Sequence, residues 1–234
     1  MTFGRSHNLH HFQYSIERDQ PLGGVSSIKD LGVTFSSDFS FNEHVDDLCR
    51  RAYRMLGFIT GSTRGMTSPL VLKTLYSSFV RQLMEYASPV WSPYQLGLIE
   101  KLEAVQRKFV RMVGVRQGLL YREVPVAGLQ ADLLLPDLQA RRCVADVLFL
   151  TGLVSGQLDC PMLLSQVDFR IPLARTRSRD LFSRRHCQRS YVFHGPLARM
   201  VRLGNGFCDR FDVFNDRAAI IRGRVLAAFQ YTVE

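Results

Sequence analysis

Two adjacent aspartates, Asp46 and Asp47 in the run VDD, are residues whose type and spacing could support chemistry. Neighbouring carboxylates can hold a pair of divalent metal ions for phosphoryl transfer. The surrounding sequence has a helical period, because Val45, Leu48 and Ala52 recur on one face. Acidic residues are favoured in the first turn of a helix by its dipole. We therefore predict that the pair is a solvated helix start and not a catalytic site.

Histidine and cysteine residues are the other candidates for chemistry. His186, Cys187, His194 and Cys208 are zinc-ligand types, but their spacing matches no standard zinc motif. The five cysteines form no C-x-x-C pair, which favours reduced thiols. His44 lacks an evident partner for general-base catalysis and is predicted to be a hydrogen-bonded structural residue. With no G-x-S-x-G, Walker or H-E-x-x-H motif in the chain, we predict no catalytic residue and no metal site.

Positive charge is concentrated in the C-terminal part. The segment from Arg170 to Arg224 contains 13 arginines, no lysine and four aspartates, so it carries a charge equal to the +9 of the whole chain. Clustered guanidinium groups suit phosphate oxygens, and a solvated surface with internal ion pairs is an equally favoured alternative. The predicted phosphate patch consists of Arg175, Arg177, Arg179, Arg184 and Arg185.

Composition and hydropathy are typical of an intracellular globular protein. The chain has 234 residues, 46% of them hydrophobic, which is enough to bury a sizeable core. Its longest apolar run, residues 147–154, is far shorter than the ~20 residues that a membrane span needs. The N-terminal residues lack the apolar run of a signal peptide. We expect no membrane partner and an intracellular location, with nucleus and cytoplasm both open.

The elements that position these residues are predicted to be mainly helical. Alternating apolar residues in FQYSI, the turn-forming PLGG and the extended run VSSIKDLGVTF predict a β-hairpin. Helical periodicity follows, and Ser68 with Pro69 marks the start of a second helix. Further helices are predicted over residues 98–113, 138–150, 196–203 and 216–229. The predicted fold class is mainly α, with a short N-terminal β-hairpin before the helices.

Four ordered blocks of sequence resemble one protein family. The blocks are SIKDLGVTFSSDFSFNEHV, RAYRMLGFI, SPLVLKTLYSSFVRQLMEYASPVWSPY and IEKLEAVQRKFVR, and the similarity continues through LLLPDLQARRCVADVLFL towards the C-terminus. In order and spacing they resemble the part of jockey-like non-LTR retrotransposon reverse transcriptases that follows the catalytic palm. The resemblance covers nearly the whole chain and is more specific than a single short motif.

The resemblance implies three regions. Residues 1–41 would be a primer-grip-like β-hairpin at the palm edge, residues 42–115 a thumb-like helical region, and residues 116–234 an arginine-rich C-terminal helical domain. Leu31 and Gly32 would position the primer. The expected thumb contacts to nucleic acid are Arg50, Arg51, Arg54, Lys101, Arg107, Lys108 and Arg111.

The aromatic stretch YASPVWSPY would join two helices of the thumb-like region. We interpret Trp91 as packing that fixes the angle between these helices, because a lone tryptophan belongs to a core more often than to a stacking platform for bases.

The function implied by the resemblance is that of a C-terminal fragment of an RNA-directed DNA polymerase. It would bind RNA template and DNA primer and would lack the catalytic palm, since the family's catalytic aspartates precede the primer grip whereas Asp46 and Asp47 follow it. We expect no cofactor in this chain, with Mg²⁺ needed only by an intact polymerase, and the missing palm and fingers as natural packing partners. Two alternatives stay open: a retained nucleic-acid-binding or protein-interaction module derived from the element, and a decayed reading frame without function.

Overall fold

The computed structural model describes residues 15–16, 20–21, 23–171 and 180–230. Within this part the chain is mainly helical and begins with short β-hairpins, which confirms the predicted fold class. No helix of the described part is long and apolar enough to cross a membrane.

The N-terminal strands form two short antiparallel hairpins. Strand β1 (Ser15–Ile16) pairs with β2 (Gln20–Pro21), and β3 (Ser27–Asp30) pairs with β4 (Val33–Ser36). The run VSSIKDLGVTF is therefore not one continuous strand, as its pattern suggests, but a hairpin of its own.

The β3–β4 turn explains this difference. Leu31 and Gly32 both have positive φ, at 44° and 82°, and two such residues make the tight turn whose twist matches antiparallel strands. A leucine seldom adopts this conformation, so residue type alone gives little warning of a turn at this point.

The helices after the hairpins form a bundle around the first of two hydrophobic cores. A single longer helical stretch within it is built from α2, a π-helical segment and α3. The bounds are α1 (Asn42–Ser62), α2 (Pro69–Leu75), the π-helical segment (Tyr76–Arg81), α3 (Gln82–Glu85), α4 (Ser88–Trp91) and α5 (Leu96–Arg116).

Helices α1 and α5 lie side by side and run in the same direction. Lys101 contacts Asp46 near the start of both helices, and Met112 contacts Thr60 near their ends. The parallel arrangement follows from the connection, because the stretch from α2 to α3 carries the chain back before α5 begins. Their facing side chains, including Leu56 and Phe109, are buried in the first core.

The aromatic corner is part of that core. The side chain of Trp91 is completely buried, its Nε1 donates a hydrogen bond to the carbonyl oxygen of Tyr86 at 2.7 Å, and its ring meets the ring of His44 edge-on. This confirms the interpretation of Trp91 as packing between helices. The turn before α4 has Ala87 in the left-handed conformation, at φ 51°.

The C-terminal part packs around a second hydrophobic core. Its helices are α6 (Val126–Asp132), α7 (Leu138–Val154), α8 (Pro161–Leu164), α9 (Ser190–Phe193), α10 (Pro196–Phe207) and α11 (Ala218–Gln230). Helix α7 contributes to both cores, with Leu138 in the first and Val147 and Leu150 in the second. The helices predicted near residues 138, 196 and 216 are present as α7, α10 and α11, and α7 contacts the other two, whereas α6 was not predicted.

One arginine fastens the C-terminal part to the aromatic corner. Arg199 of α10 donates hydrogen bonds to the carbonyl oxygens of Pro89 and Ser92 at 2.8 and 3.2 Å. It also pairs with Asp146 of α7. The corner therefore connects consecutive helices and also receives α10 from more than a hundred residues later in the chain.

Candidate nucleic-acid interface

A groove runs along one side of α1, between this helix and the π-helical segment with α3. Its first part has a volume of 630 Å³ and is lined by Leu31, Gly32, Arg51 and Tyr86, among others. Its second part has a volume of 590 Å³ and is lined by Arg51, Arg54, Met55, Phe58, Phe79 and Leu83. The two parts share Arg51, Met55, Phe79 and Leu83, so they adjoin, and we refer to them together as the α1 groove.

The β3–β4 turn forms the mouth of the α1 groove. Tyr86 holds the turn in place, because its hydroxyl donates a hydrogen bond to the carbonyl oxygen of Leu31 at 3.0 Å. A Cβ on Gly32 would lie 3.3 Å from Cε1 of Tyr86, so glycine permits this close approach as well as the positive φ. The side chain of Leu31 is 83% exposed. The two residues predicted to position a primer therefore lie at the entrance to a basic groove.

The charged groups that line the groove are cationic. Arg54 is exposed and has no acidic partner within the described residues, while Arg51 pairs at 3.1 Å with Asp47, which does not line the groove. No aspartate or glutamate of the described chain lines either part of the groove. The groove therefore offers guanidinium groups to an anion without a neighbouring carboxylate in its walls.

Aromatic side chains stand beside these cations. Phe58 is 68% exposed, Phe79 is 50% exposed and Tyr86 is 59% exposed. Large apolar side chains in one exposed groove mark an interaction surface more often than isolated ones do. Exposed rings next to guanidinium groups are the combination used to bind nucleic-acid strands, where bases stack on rings and phosphates meet cations.

The predicted thumb contacts do not form a single surface. No residue of α5 lines the α1 groove. Lys101 pairs with Asp46 at 2.7 Å, Arg107 pairs with Glu100, and Arg50 shares Asp47 with Arg51. Lys101 and Lys108 contact α1 residues, Asp46 and Tyr53, whereas Arg107 and Arg111 contact Glu100 and Tyr121 instead.

Two α5 cations rest on tyrosine rings. The ammonium group of Lys108 lies 5.0 Å from the ring centre of Tyr53, and the guanidinium group of Arg111 lies 5.6 Å from that of Tyr121. Such contacts hold the cations near the protein surface at modest energy. They leave both side chains able to approach a phosphate from the α5 side.

His44 lies beneath the mouth of the groove and is buried. Its Nδ1 accepts a hydrogen bond from the amide of Thr34 at 3.2 Å, which places the proton of a neutral ring on Nε2. Nε2 has no hydrogen-bond partner in the described part. Burial lowers the pKa of His44, and the charge of Arg51 lowers this pKa further.

The described residues contain no cluster of three histidine, cysteine, aspartate or glutamate side chains placed to hold a metal ion. Contrary to the prediction, Asp46 and Asp47 lie in α1 but not in its first turn, because the helix begins at Asn42 and Glu43 is the acidic residue of that turn. Both aspartates are engaged by Lys101, Arg50 and Arg51. These ion pairs give both carboxylates a structural role.

The predicted C-terminal patch is only partly described. Arg175, Arg177 and Arg179 lie outside the described residues. Arg184 pairs with Asp180 at 3.0 Å and Arg185 with Asp168 at 3.3 Å. Both arginines are exposed and line a cavity at the start of α10, separate from the α1 groove.

Sequence reasoning missed the aromatic part of the α1 groove. Phe58 falls off the apolar stripe of α1 that contains Leu56 and Ile59, and this position next to Arg54 was a usable signal. Phe79 fits the apolar period of its helix, which predicts a buried side chain. The π-helical segment that contains it turns the side chains differently from an α-helix, and this change has no visible signal in residue type.

No protein-family model, curated protein or solved structure matches the chain.

Proposed function

We propose that this chain is the thumb-like and C-terminal part of a non-LTR retrotransposon reverse transcriptase and binds template–primer nucleic acid along the α1 groove. The observation that supports this most strongly is the position of Leu31 and Gly32 at the mouth of a groove lined by Arg51 and Arg54. The family resemblance of the sequence and the lining of the groove therefore indicate the same residues.

The chemistry of the groove favours contacts to the nucleic-acid backbone. Arginine side chains bind phosphate oxygens without reading base identity, and Phe58 and Phe79 offer faces to which any base can stack. Binding of this type is independent of sequence and weakens as salt rises, because counterions are released from the nucleic acid. We expect the described part of the chain to grip a strand, with polymerisation requiring the rest of a polymerase.

The test is a fluorescence-anisotropy titration of the full chain with an RNA-template and DNA-primer duplex, repeated from 50 to 200 mM salt as in other phosphate-binding systems. We expect a linear fall of log affinity with log salt. The double substitution Arg51→Gln and Arg54→Gln should weaken binding and reduce the slope by about 1.8, since each phosphate contact contributes about 0.9.

The matched control is the double substitution Arg217→Gln and Arg222→Gln, which likewise removes two positive charges, from exposed positions just before α11 and on it. This variant should leave the slope unchanged. Equal slopes for the variant with Arg51→Gln and Arg54→Gln and for the unmodified chain would remove the α1 groove from the contact surface. Absence of binding by a chain that melts cooperatively would contradict the proposed function as a whole.

Protein interaction is a second candidate because the β3–β4 hairpin exposes apolar side chains. Val25, Ile28 and Leu31 are all exposed in the described structure, and an exposed apolar strand pair offers a packing surface. Sedimentation of the purified chain tests this candidate. Concentration-dependent association that Ile28→Thr abolishes, together with no affinity for nucleic acid, would favour it over the proposed function.

A further inference from the structure

A second cavity, distinct from the α1 groove, lies between residues 183–187 and the start of α10. It has a volume of 480 Å³, within the range of roughly 300–1,000 Å³ that small-molecule sites occupy. We refer to it as the α10 cavity. The residues that matter to its chemistry are Arg184, Arg185, Phe193, Leu197, Val201 and Arg202.

Three arginines give the α10 cavity its charge. Arg184 and Arg185 are exposed at its edge, and their pairs with Asp180 and Asp168 are surface ion pairs that hold them weakly. Arg202 is half-buried and has no acidic partner among the described residues. Its Nε is buried without a hydrogen-bond partner. A buried donor of this kind costs free energy until an acceptor reaches it.

The electrostatic environment of Arg202 favours an incoming anion. Burial lowers the pKa of Arg202, the charges of Arg199 and Arg184 lower this pKa further, and Cys187 opposes them in part. Arg199 is already neutralised by Asp146, which leaves Arg202 as the cation that an anion in the cavity would relieve. A phosphate group accepts several hydrogen bonds and carries the charge that these donors require.

The first turn of α10 adds backbone donors to the same cavity. The helix has 12 residues, begins at Pro196 and has no side-chain cap. The amides of Leu197 and Ala198, which line the cavity, have no hydrogen-bond partner in the described structure. Free amides at a helix start, together with the positive end of its dipole, favour a bound anion.

Planar and apolar groups lie beside these hydrogen-bond donors. The guanidinium group of Arg202 lies 3.6 Å from the ring centre of Phe193, which is 42% exposed. Leu197 and Val201 supply apolar surface on the same cavity. Guanidinium planes and aromatic rings are the groups on which proteins stack nucleic-acid bases. The cavity therefore combines anion donors with a surface for a planar ring.

We infer that the α10 cavity binds a nucleotide, with its phosphate at Arg202 and the start of α10 and its base against Phe193 and the apolar wall. The nucleotide is either free or the phosphorylated end of a strand. The strand-end form rests on the proposed function and would give the chain a second contact, away from the α1 groove.

The first experiment measures binding of AMP, adenosine and inorganic phosphate to the full chain by calorimetry at constant ionic strength. AMP should bind at least about tenfold more tightly than adenosine, because one charge-assisted hydrogen bond is worth that much. It should also bind at least about tenfold more tightly than phosphate, because stacking of one base contributes about as much. Arg202→Gln should weaken AMP binding by about tenfold or more, and Arg222→Gln should leave it unchanged. AMP binding no tighter than phosphate binding, or unaltered by Arg202→Gln, would overturn the inference.

A second variant guards against a folding defect. Phe193→Leu keeps an apolar side chain at an exposed site, and we expect it to retain phosphate affinity while losing most of the preference for AMP. Equal melting temperatures of the Arg202→Gln and Phe193→Leu variants and the unmodified chain show that both fold. A preference for AMP that survives Phe193→Leu in the folded protein would contradict the assignment of the base.

Oligonucleotides with and without a 5′-phosphate distinguish the two sources of the nucleotide. A 5′-phosphate that tightens strand binding, through an effect which Arg202→Gln removes, assigns the cavity to strand ends. A 5′-phosphate without effect on strand binding assigns it to free nucleotides. Arg51→Gln with Arg54→Gln should leave AMP affinity intact. A chain that binds the duplex but neither binds AMP nor responds to a 5′-phosphate would reject this inference alone. A chain that binds AMP but not the duplex would reject the proposed function alone.

Discussion

Arg199 grips both carboxylate oxygens of Asp146, with Nε 2.7 Å from Oδ2 and Nη2 3.1 Å from Oδ1. Asp146 is buried, and the same guanidinium also reaches the carbonyl oxygens of Pro89, Ser92 and His194. Every part of the planar group therefore has an acceptor. This single side chain joins α10 to α7 and to the aromatic corner.

Arg199→Met should be strongly destabilising because it leaves the carboxylate of Asp146 buried and unpaired. Loss of one partner from a buried ion pair costs about 3–5 kcal/mol. The measurement is the free energy of unfolding from urea denaturation. The double variant Arg199→Met and Asp146→Leu should recover part of the loss, since it removes the stranded charge as well. A loss below about 1 kcal/mol for Arg199→Met would contradict the role of this side chain as the link between the two parts.

Arg142 provides the comparison, because it is a buried arginine in a different environment. It is only 2% exposed, its guanidinium nitrogens have no hydrogen-bond partner, and its nearest carboxylate oxygen, on Glu103, is 4.0 Å away. Glu103 is independently satisfied by the amides of Leu138 and Gln139. Arg142→Met should therefore be neutral or stabilising in the same urea titration. A loss as large as that of Arg199→Met would show that the guanidinium makes interactions which the structure does not contain.

Trp91→Ala should lower the free energy of unfolding by about 3–5 kcal/mol, because it opens a cavity in the first core. Trp91→Phe should cost less, since it keeps an aromatic ring and loses mainly the hydrogen bond to Tyr86. Urea denaturation measures both losses. Unchanged stability combined with weaker binding to a single strand would reverse the interpretation and make Trp91 a stacking platform.

Phe58→Ala with Phe79→Ala should weaken binding of single-stranded nucleic acid by about 1–3 kcal/mol for each base that stacks. Stability should change little, because both rings are substantially exposed. Phe214→Ala, which removes a comparably exposed ring from the C-terminal part, is the control. Anisotropy with a short unstructured oligonucleotide is the measurement. Equal affinities for the double variant and this control would exclude stacking in the α1 groove.

The stability of the chain should fall as the pH drops below about 6.5, in part because of His44. Burial lowers the pKa of His44 in the folded state below its ordinary value of about 6.5, so the unfolded chain takes up a proton first as the pH falls. The contribution of His44 to the free energy of unfolding is therefore largest above about pH 6.5. It decreases as the pH falls towards the pKa of His44 in the folded state, with a slope of at most about 1.4 kcal/mol per pH unit.

His44→Asn tests this dependence, since the asparagine oxygen can still accept the amide hydrogen bond from Thr34. Unfolding free energies between pH 5 and 7.5 should show a flatter profile for this variant. Burial also lowers the pKa of His194, so His194→Gln is measured in parallel to separate the two contributions. A profile that His44→Asn leaves unchanged would show that Nε2 is solvated or paired in solution.

Helical periodicity predicted the elements well where each helix has one clear apolar face. The stripe of Val45, Leu48 and Ala52 belongs to α1, and the Ser68–Pro69 signal lies where α2 begins. Periodicity failed where backbone geometry departs from the standard forms. The left-handed Leu31 and the π-helical segment around Phe79 are held by tertiary contacts, which a pattern of residue types does not contain.

The candidate sites show the same limit. The family resemblance indicated Arg51 and Arg54, and charge clustering indicated Arg184 and Arg185. The distribution of these residues between two separate cavities follows from the packing of helices. Arg202 drew no attention in the sequence because its isolation from acids is a three-dimensional property. The buried pair of Arg199 and Asp146 was invisible for the same reason.

The double role of α7 has a consequence for the order in which the chain is made. The α7 residue that packs in the first core meets partners that leave the ribosome earlier, whereas Arg199, the partner of Asp146, follows 53 residues later. At about 5–20 residues per second, Val147 and Leu150, which pack in the second core, therefore remain uncovered for roughly 3–10 s. During this interval of translation the nascent chain exposes the apolar side chains of α7, and a chaperone that binds apolar segments could bind this helix.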